Sequence, residues 1–252
     1  FVIDEATRDR LVAEDPCSAE VIKPWIRGRN VKRWRVEWAR EYLIAIQNSG
    51  DESVNYPWSN ARTETEARRF FRRTYPAVHD HLSQDEVRLK KRWDQGKFWW
   101  ELRACSYYKE FKQPKIIWPD IAKRNEFALD NQSFYPDCTL FIVPKADLYL
   151  VGILNSGVVQ WFYRNVSPTI QQDFLRFKRV YLKQVPIPTP APAQREAIRA
   201  LVHKLLDAEG QGPQVQEWER ELNALVYEVY GLTEEEIAIV EAETTSDSRN
   251  TR

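Results

Sequence analysis

The stretch "DLYLVGILNSGVVQWFYRNV", Asp147 to Val166, is apolar on most sides and reads as a buried helix, with "NSG" as an interruption or functional bend. What flanks it sets the fold class. Upstream, at close spacing, stand "KFWWELR" (97–103), "PKIIWP" (114–119) and "CTLFIVP" (138–144). Their β-branched and aromatic residues, with flanking prolines, predict strands. Downstream, "KQVPIPTPAPA" is a connector that cannot be helical in its middle. Beyond it Ile198, Leu201, Val202, Leu205 and Leu206 follow helical spacing, and Trp218, Leu222, Leu225, Val226 and Val229 do so again after a Gly/Pro break. That pattern predicts an antiparallel helical hairpin. "TEEE" at 233–236 is a capping-box signature for a short last helix, with Thr233 as N-cap and Glu236 three residues on.

Toward the N-terminus, residues 1–22 read as a short helical or irregular lead-in and "EYLIAI" (41–46) as a strand. Thr63 to Trp93 is charged and helix-competent, with Pro76 starting a new helix. The expectation is an α+β fold. An irregular mixed β-sheet body with helices fills 1–190, a C-terminal α-helical hairpin and capping helix follow over 191–241, and 242–252 form a disordered tail.

The formal charge of zero conceals an asymmetry. Phe1 to Ile22 holds 6 acidic against 2 basic residues, and Leu205 to the C-terminus holds 12 against 3. The middle of the chain is therefore strongly basic, which predicts a local positive field and an anionic partner.

Cys17, Cys105 and Cys138 are odd in number and lack any CxxC pairing, which predicts free thiols in a reducing compartment. No apolar run approaches 18 residues and no signal-peptide pattern opens the chain, so the expectation is a cytoplasmic protein without a membrane partner. The sequence starts at Phe1 and contains no Met, and so reads as a piece of a longer polypeptide.

Catalytic signatures are missing from the chain. It has no GxGxxG, P-loop, GxSxG or HExxH motif. "NYPW" at 55–58 does not match the Asn-Pro-Pro-aromatic turn of amino-methyltransferases acting on DNA, and neither Pro119-Asp120 nor Pro136-Asp137 is followed by an acidic-x-Lys element. His79 and His81 point apart on a helix and read as a solvated surface pair. No catalytic residue and no metal ligand is predicted.

Basic residues interleaved with aromatics do recur. In "IKPWIRGRNVKRW" (22–34), Ile22, Trp25 and Ile26 should pack, whereas Arg27, Gly28, Arg29, Lys32 and Arg33 form the candidate contact. Gly28 is expected to permit a tight turn that brings Arg27 and Arg29 to a phosphate. Tyr107, Lys109 and Lys115 follow in "FWWELRACSYYKEFKQPK", Lys123 and Arg124 in "AKRNEF", and Gln172, Arg176, Lys178 and Arg179 in "QQDFLRFKRVYLK". Arg and Lys neutralise phosphates, and Arg and Gln read base edges with paired hydrogen bonds. A single-stranded or RNA ligand would instead need Trp99, Tyr107 and Trp118 exposed for stacking.

Five segments in order, "VIKPWIRGRNVKRW", "KFWWELRACSYYKEFKQPKIIWPDIA", "YLVGILNSGVVQWFYRNVSP", "FLRFKRVYLKQVPIPTP" and "VYEVYGLTEEEIAIVE", resemble the C-terminal specificity domain of TaqI-like DNA methyltransferases. The resemblance runs from about Val21 to Glu241. It implies a double-stranded DNA target-recognition domain that is not an enzyme by itself. The S-adenosylmethionine site and the Asn-Pro-Pro-aromatic motif would lie in a methyltransferase domain of the same parent chain, which flips an adenine out of the duplex. The parent would then be an adenine-specific DNA methyltransferase, alone or fused to an endonuclease. Two other readings stay open at this point: a protein-interaction or scaffold domain of a defence complex, docked through the acidic hairpin, and a single-stranded nucleic-acid binding module.

Overall fold

The computed structural model describes residues 1–144, 147–170 and 174–249. Its strands are short. They are β1 (Val2–Ile3), β2 (Ile22–Ile26), β3 (Val31–Lys32), β4 (Arg35–Val36), β5 (Glu41–Ile44) and β6 (Lys115–Pro119), then β7 (Ile121–Ala122), β8 (Ala128–Asp130), β9 (Tyr135–Pro136), β10 (Leu140–Pro144), β11 (Thr169–Ile170) and β12 (Phe174–Arg176). The helices are α1 (Glu5–Glu14), α2 (Glu64–Thr74), α3 (Pro76–Ser83), α4 (Glu86–Leu89) and α5 (Leu148–Leu154). They continue with α6 (Gly157–Val166), α7 (Arg179–Leu182), α8 (Pro192–Asp207), α9 (Val215–Tyr230) and α10 (Glu234–Arg249). The class is α+β, with several small sheets and a helical C-terminal part, as the sequence predicts.

The chain divides into two compact units along a boundary that the sequence does not mark. The first comprises Phe1–Ile26 and Trp38–Lys112, the second Arg27–Glu37 and Gln113–Arg252. The helical hairpin is not a unit of its own.

In the first unit, β5 is flanked on both sides by antiparallel partners, Val2 opposite Leu43 on β1 and Ile22 opposite Ile44 on β2. Thr63 caps α2 by accepting from the Glu66 amide at 3.2 Å, and Pro76 opens α3, where its missing N–H costs nothing. Ala67 and Phe71 of α2 turn inward. They meet an aromatic nucleus in which Trp100 stacks on Phe71 at 5.1 Å and on Phe98 at 4.8 Å.

Two expectations fail here. "KFWWELR" forms no strand: a lone bridge joins Gln95 and Leu102, and the Glu101 amide turns back to the Phe98 carbonyl at 3.0 Å. A strand would send Trp99 and Trp100 to opposite faces, whereas the turn buries Phe98, Trp99 and Trp100 together. Glu101 anchors it, accepting from the amides of Ser49 and Phe98 and, at 2.8 Å, from Trp58 Nε1. His79 is not half of a solvated pair either. It is 4% exposed, its Nδ1 lies 2.8 Å from Asp80, and Arg68 Nε donates to its Nε2 at 3.2 Å.

The second unit is built on an antiparallel sheet in the order β10-β6-β8, with Trp118 opposite Phe141 and Ile117 opposite Ala128. A smaller sheet runs β11-β12-β7. The apolar stretch Asp147–Val166 becomes two helices, α5 and α6, broken at the fully buried Asn155 and Ser156. Ser156 caps α6 through its side chain, accepting from the Val159 amide.

Helices α8 and α9 form the predicted hairpin, and their apolar faces complete the core of this unit. Ile198, Val202, Leu205, Leu222 and Val226 pack with Val151, Ile153, Val159 and Phe127. Gly152 allows a close approach of α5 to α8; a Cβ there would stand 2.9 Å from methyls of both Ile198 and Val202. The Thr233–Glu236 capping box forms as read. The helix it opens is not short, and it continues through residues 242–249, where composition predicts a tail.

No helix among the described residues is long and apolar enough to cross a membrane.

Candidate nucleic-acid interface

The candidate residues begin where the chain leaves β2. Arg27–Glu37 belongs to the second unit and is a closed excursion. Buried Asn30 accepts from the Arg27 amide at 3.0 Å and donates to the Glu37 carbonyl at 2.9 Å, and the Glu37 amide returns to the Asn30 carbonyl at 2.7 Å. Between these ties a one-turn 3-10 helix (Gly28–Asn30) leads into the hairpin β3-β4.

Gly28 serves this excursion differently from the expectation. Its φ lies outside the left-handed region; among the glycines only Gly210, Gly212 and Gly231 adopt positive values. What it provides is closeness. A Cβ would stand 2.6 Å from Thr139 Oγ1, the same oxygen that accepts the Gly28 amide at 3.0 Å. Arg27 is half-buried and Arg29 exposed on either side of this contact.

Arg33 departs furthest from its predicted role. Its side chain is 13% exposed, Nε donates to Glu219 Oε1 of α9 at 2.6 Å, and Nη1 donates to Asn125 Oδ1 at 2.9 Å. A guanidinium held this way is an internal bracket and not a free phosphate ligand. Trp34 completes it. The residue has a left-handed φ of 72°, is 2% exposed, and donates from Nε1 to the same Glu219 oxygen at 2.7 Å. Burial alone would raise the pKa of Glu219. The Arg33 charge and the bonds from Trp34 and Arg33 outweigh that and hold it below the usual carboxylate range.

The other end of the bracket is the loop between β7 and β8. Asn125 is 1% exposed and fully used: its amide donates to Gln160 Oε1 at 2.7 Å, and Nδ2 donates to the carbonyls of Leu154 and Ser156. Two residues on, Phe127 exchanges two bonds with the Asn155 side chain, which imitates a strand partner. The "NSG" bend therefore grips this loop from inside. Held between such anchors, Lys123 and Arg124 are exposed. Glu126 lies among Lys32, Arg124, Arg33 and Arg35, and burial pushes its pKa up against their pull.

The structure thus gathers Lys32, Arg33 and Arg124 around one carboxylate. Lys123 reaches the small sheet, its Nζ 5.4 Å from the ring of Phe174 on β12. Arg176, on the same strand, faces Asp120 at 3.8 Å. Lys178 precedes α7 and Arg179 opens it, the latter exposed. Tyr107 and Lys109 belong to the first unit, both exposed. Gln172 lies outside the described residues. Lys115 is no surface cation: it has no exposure and pairs with Asp130, also inaccessible. Trp99 and Trp118 are buried at 2% and 3%, so of the three stacking platforms a single-stranded ligand requires only Tyr107, at 51%, is available.

Reading from sequence missed Arg35, Asn125, Glu126 and Glu219. Asn125 and Glu126 stood inside the quoted "AKRNEF". Nothing distinguishes Glu219 from the other acidic residues of its helix.

Residues 23–187 match the family model of the TaqI-like C-terminal specificity domain, more than half of the chain. The chain belongs to this family. Among the relatives of this TaqI-like domain is the Type II methyltransferase M.BstVI of Geobacillus stearothermophilus, 24% identical over 92% of this chain and 39% of that protein. A second, M.MjaIV of Methanocaldococcus jannaschii, is 22% identical over 90% of this chain and 73% of its own. M.XhoI of Xanthomonas vasicola is 28% identical over 66% of this chain and 30% of its own. The chain spans well under half of the first and third. Among solved structures, the Type IIL restriction-modification enzyme MmeI, determined in complex with DNA, matches the whole TaqI-like chain with a TM-score of 0.67 at 14% identity, over 34% of the MmeI chain. That likeness is one of fold.

Proposed function

We propose that this chain is a double-stranded DNA target-recognition domain, which holds the target site for a methyltransferase domain of the same parent protein. The observation that carries the reading is the basic group of the second unit. Lys32, Lys123 and Arg124, with Arg27 and Arg29 on the tied excursion, stand on segments fixed by buried hydrogen bonds. Cations carried on tied segments suit phosphate contact, because little loop entropy is lost on binding. Membership in the specificity-domain family supports the same reading.

Methyl transfer, adenine as its target and S-adenosylmethionine as its cofactor belong on this reading to the partner domain. The present chain has no Asn-Pro-Pro-aromatic motif, and its polar clusters are occupied by bonds that hold the fold. Its residues bind and orient; no chemical step is assigned to them.

The test is fluorescence anisotropy of a randomised duplex pool with the purified protein, followed by selection and sequencing of the bound fraction. Binding with a steep salt dependence and a recovered consensus is expected. No binding at about 50 mM salt, alone or joined to its methyltransferase domain, would overturn the reading.

A further inference from the structure

We infer that Glu219, on the second helix of the C-terminal hairpin, is a positioning residue for DNA contact by Lys123 and Arg124. This rests on the DNA-recognition reading above. The path is short. Glu219 Oε1 accepts from both Arg33 Nε and Trp34 Nε1 at 2.6 and 2.7 Å, which fixes the guanidinium in place. The same guanidinium donates to Asn125 Oδ1 at 2.9 Å. Asn125 is the residue immediately after Lys123-Arg124, and its side-chain NH2 is donor-only and committed to the Leu154 and Ser156 carbonyls, so Oδ1 is the side-chain atom that can accept from Arg33.

Releasing Glu219 frees Arg33, leaves Asn125 Oδ1 buried without its donor, and loosens the loop that presents the two exposed cations. A carboxylate beside a DNA-binding surface ordinarily weakens binding by repulsion, so its neutralisation should tighten the complex. A positioning role predicts the opposite sign. That opposition makes the inference decidable.

Glu219→Ala, which removes the oxygen that Arg33 and Trp34 share, should weaken binding to the selected duplex by roughly five- to tenfold at about 100 mM salt, with the salt slope shallower by about one phosphate contact or more. Glu221→Gln, on the same helix and exposed, removes the same charge and should bind as well as the unsubstituted protein or better. Adding Lys123→Ala and Arg124→Ala to Glu219→Ala should cost less than they cost alone, because those contacts are already impaired.

Should Glu219→Ala fail to fold, Arg33→Lys decides. Lysine keeps the charge but cannot bridge Glu219 and Asn125 with a planar fork, so affinity should fall to the level of Arg33→Ala. A direct phosphate ligand would keep most of its function as lysine. Duplex binding by folded Glu219→Ala or Arg33→Lys as tight as that of the unsubstituted protein would overturn the inference and leave the DNA reading standing. No duplex binding by the unsubstituted protein would remove both.

Discussion

Lys115 of β6 and Asp130 of β8 form an ion pair across the central sheet of the second unit, and neither side chain is accessible to solvent. Asp130 is further committed: it accepts the amides of Gln132 at 2.8 Å and Phe134 at 3.0 Å, shaping the turn that follows β8. The desolvation of both charges is offset only while both are present. Lys115→Met therefore leaves a buried carboxylate, and urea unfolding should show a loss of ~3–5 kcal/mol. The salt slope of DNA binding by the folded variant should not change, in contrast to Lys123→Ala.

The closeness at Gly28 sets a second expectation. Gly28→Ala puts a methyl within 2.6 Å of Thr139 Oγ1, and Thr139 Oγ1 is itself held by a bond to Asp137 Oδ1 at 2.6 Å. The neighbour cannot swing away without losing that bond. Overpacking of this kind costs ~1–3 kcal/mol, and the displaced turn carries Arg27 and Arg29 with it. Weaker duplex binding is expected in anisotropy, partly restored by Thr139→Ala.

Glu219 also predicts a pH dependence. Its folded pKa lies below the ordinary carboxylate value, so the folded state binds fewer protons there than the unfolded chain does. The stability it contributes is present above the ordinary value and is lost as pH falls through the folded one. Unfolding free energies of the unsubstituted protein and Glu219→Gln should differ by ~1–3 kcal/mol near pH 7. The two should converge in acid, once the carboxyl is protonated.

Glu126 stands among the same cations with the opposite shift: burial pushes its pKa up, against the pull of Lys32, Arg124, Arg33 and Arg35. It makes no bond that holds Arg33. Glu126→Gln should therefore raise the local positive potential without loosening the loop. Duplex affinity is expected to rise by about two- to fivefold, with the faster association found in stopped flow at low salt. Two carboxylates of one cluster would then respond in opposite directions.

Patterns with a local cause were legible in the sequence. β6 and β10 followed from apolar runs between prolines, the α8–α9 hairpin from its repeat, and the Thr233–Glu236 cap from spacing alone. The failures share a physical origin. "FWWELR" has strand propensity, but two adjacent tryptophans both reach the core only through a turn, and the partner that permits it, Glu101, is a charged residue that sequence reading assigns to the surface. Lys115 has the composition of a phosphate ligand, and only the register of β6 against β8 shows the aspartate waiting for it. Arg33 and Glu219 stand 186 positions apart, and neither signals the other.

That separation bears on how such a domain can be recombined. The proline-rich run between α7 and α8 is the obvious seam in the chain, where a designer or a genetic exchange would cut. Cutting there parts Arg33 and Trp34 from Glu219, the carboxylate that fixes the guanidinium on Asn125. A transplanted 123–127 loop would arrive without the helix whose carboxylate braces it through Arg33, so the unit to move together comprises the 27–37 excursion, the 123–127 loop and α9.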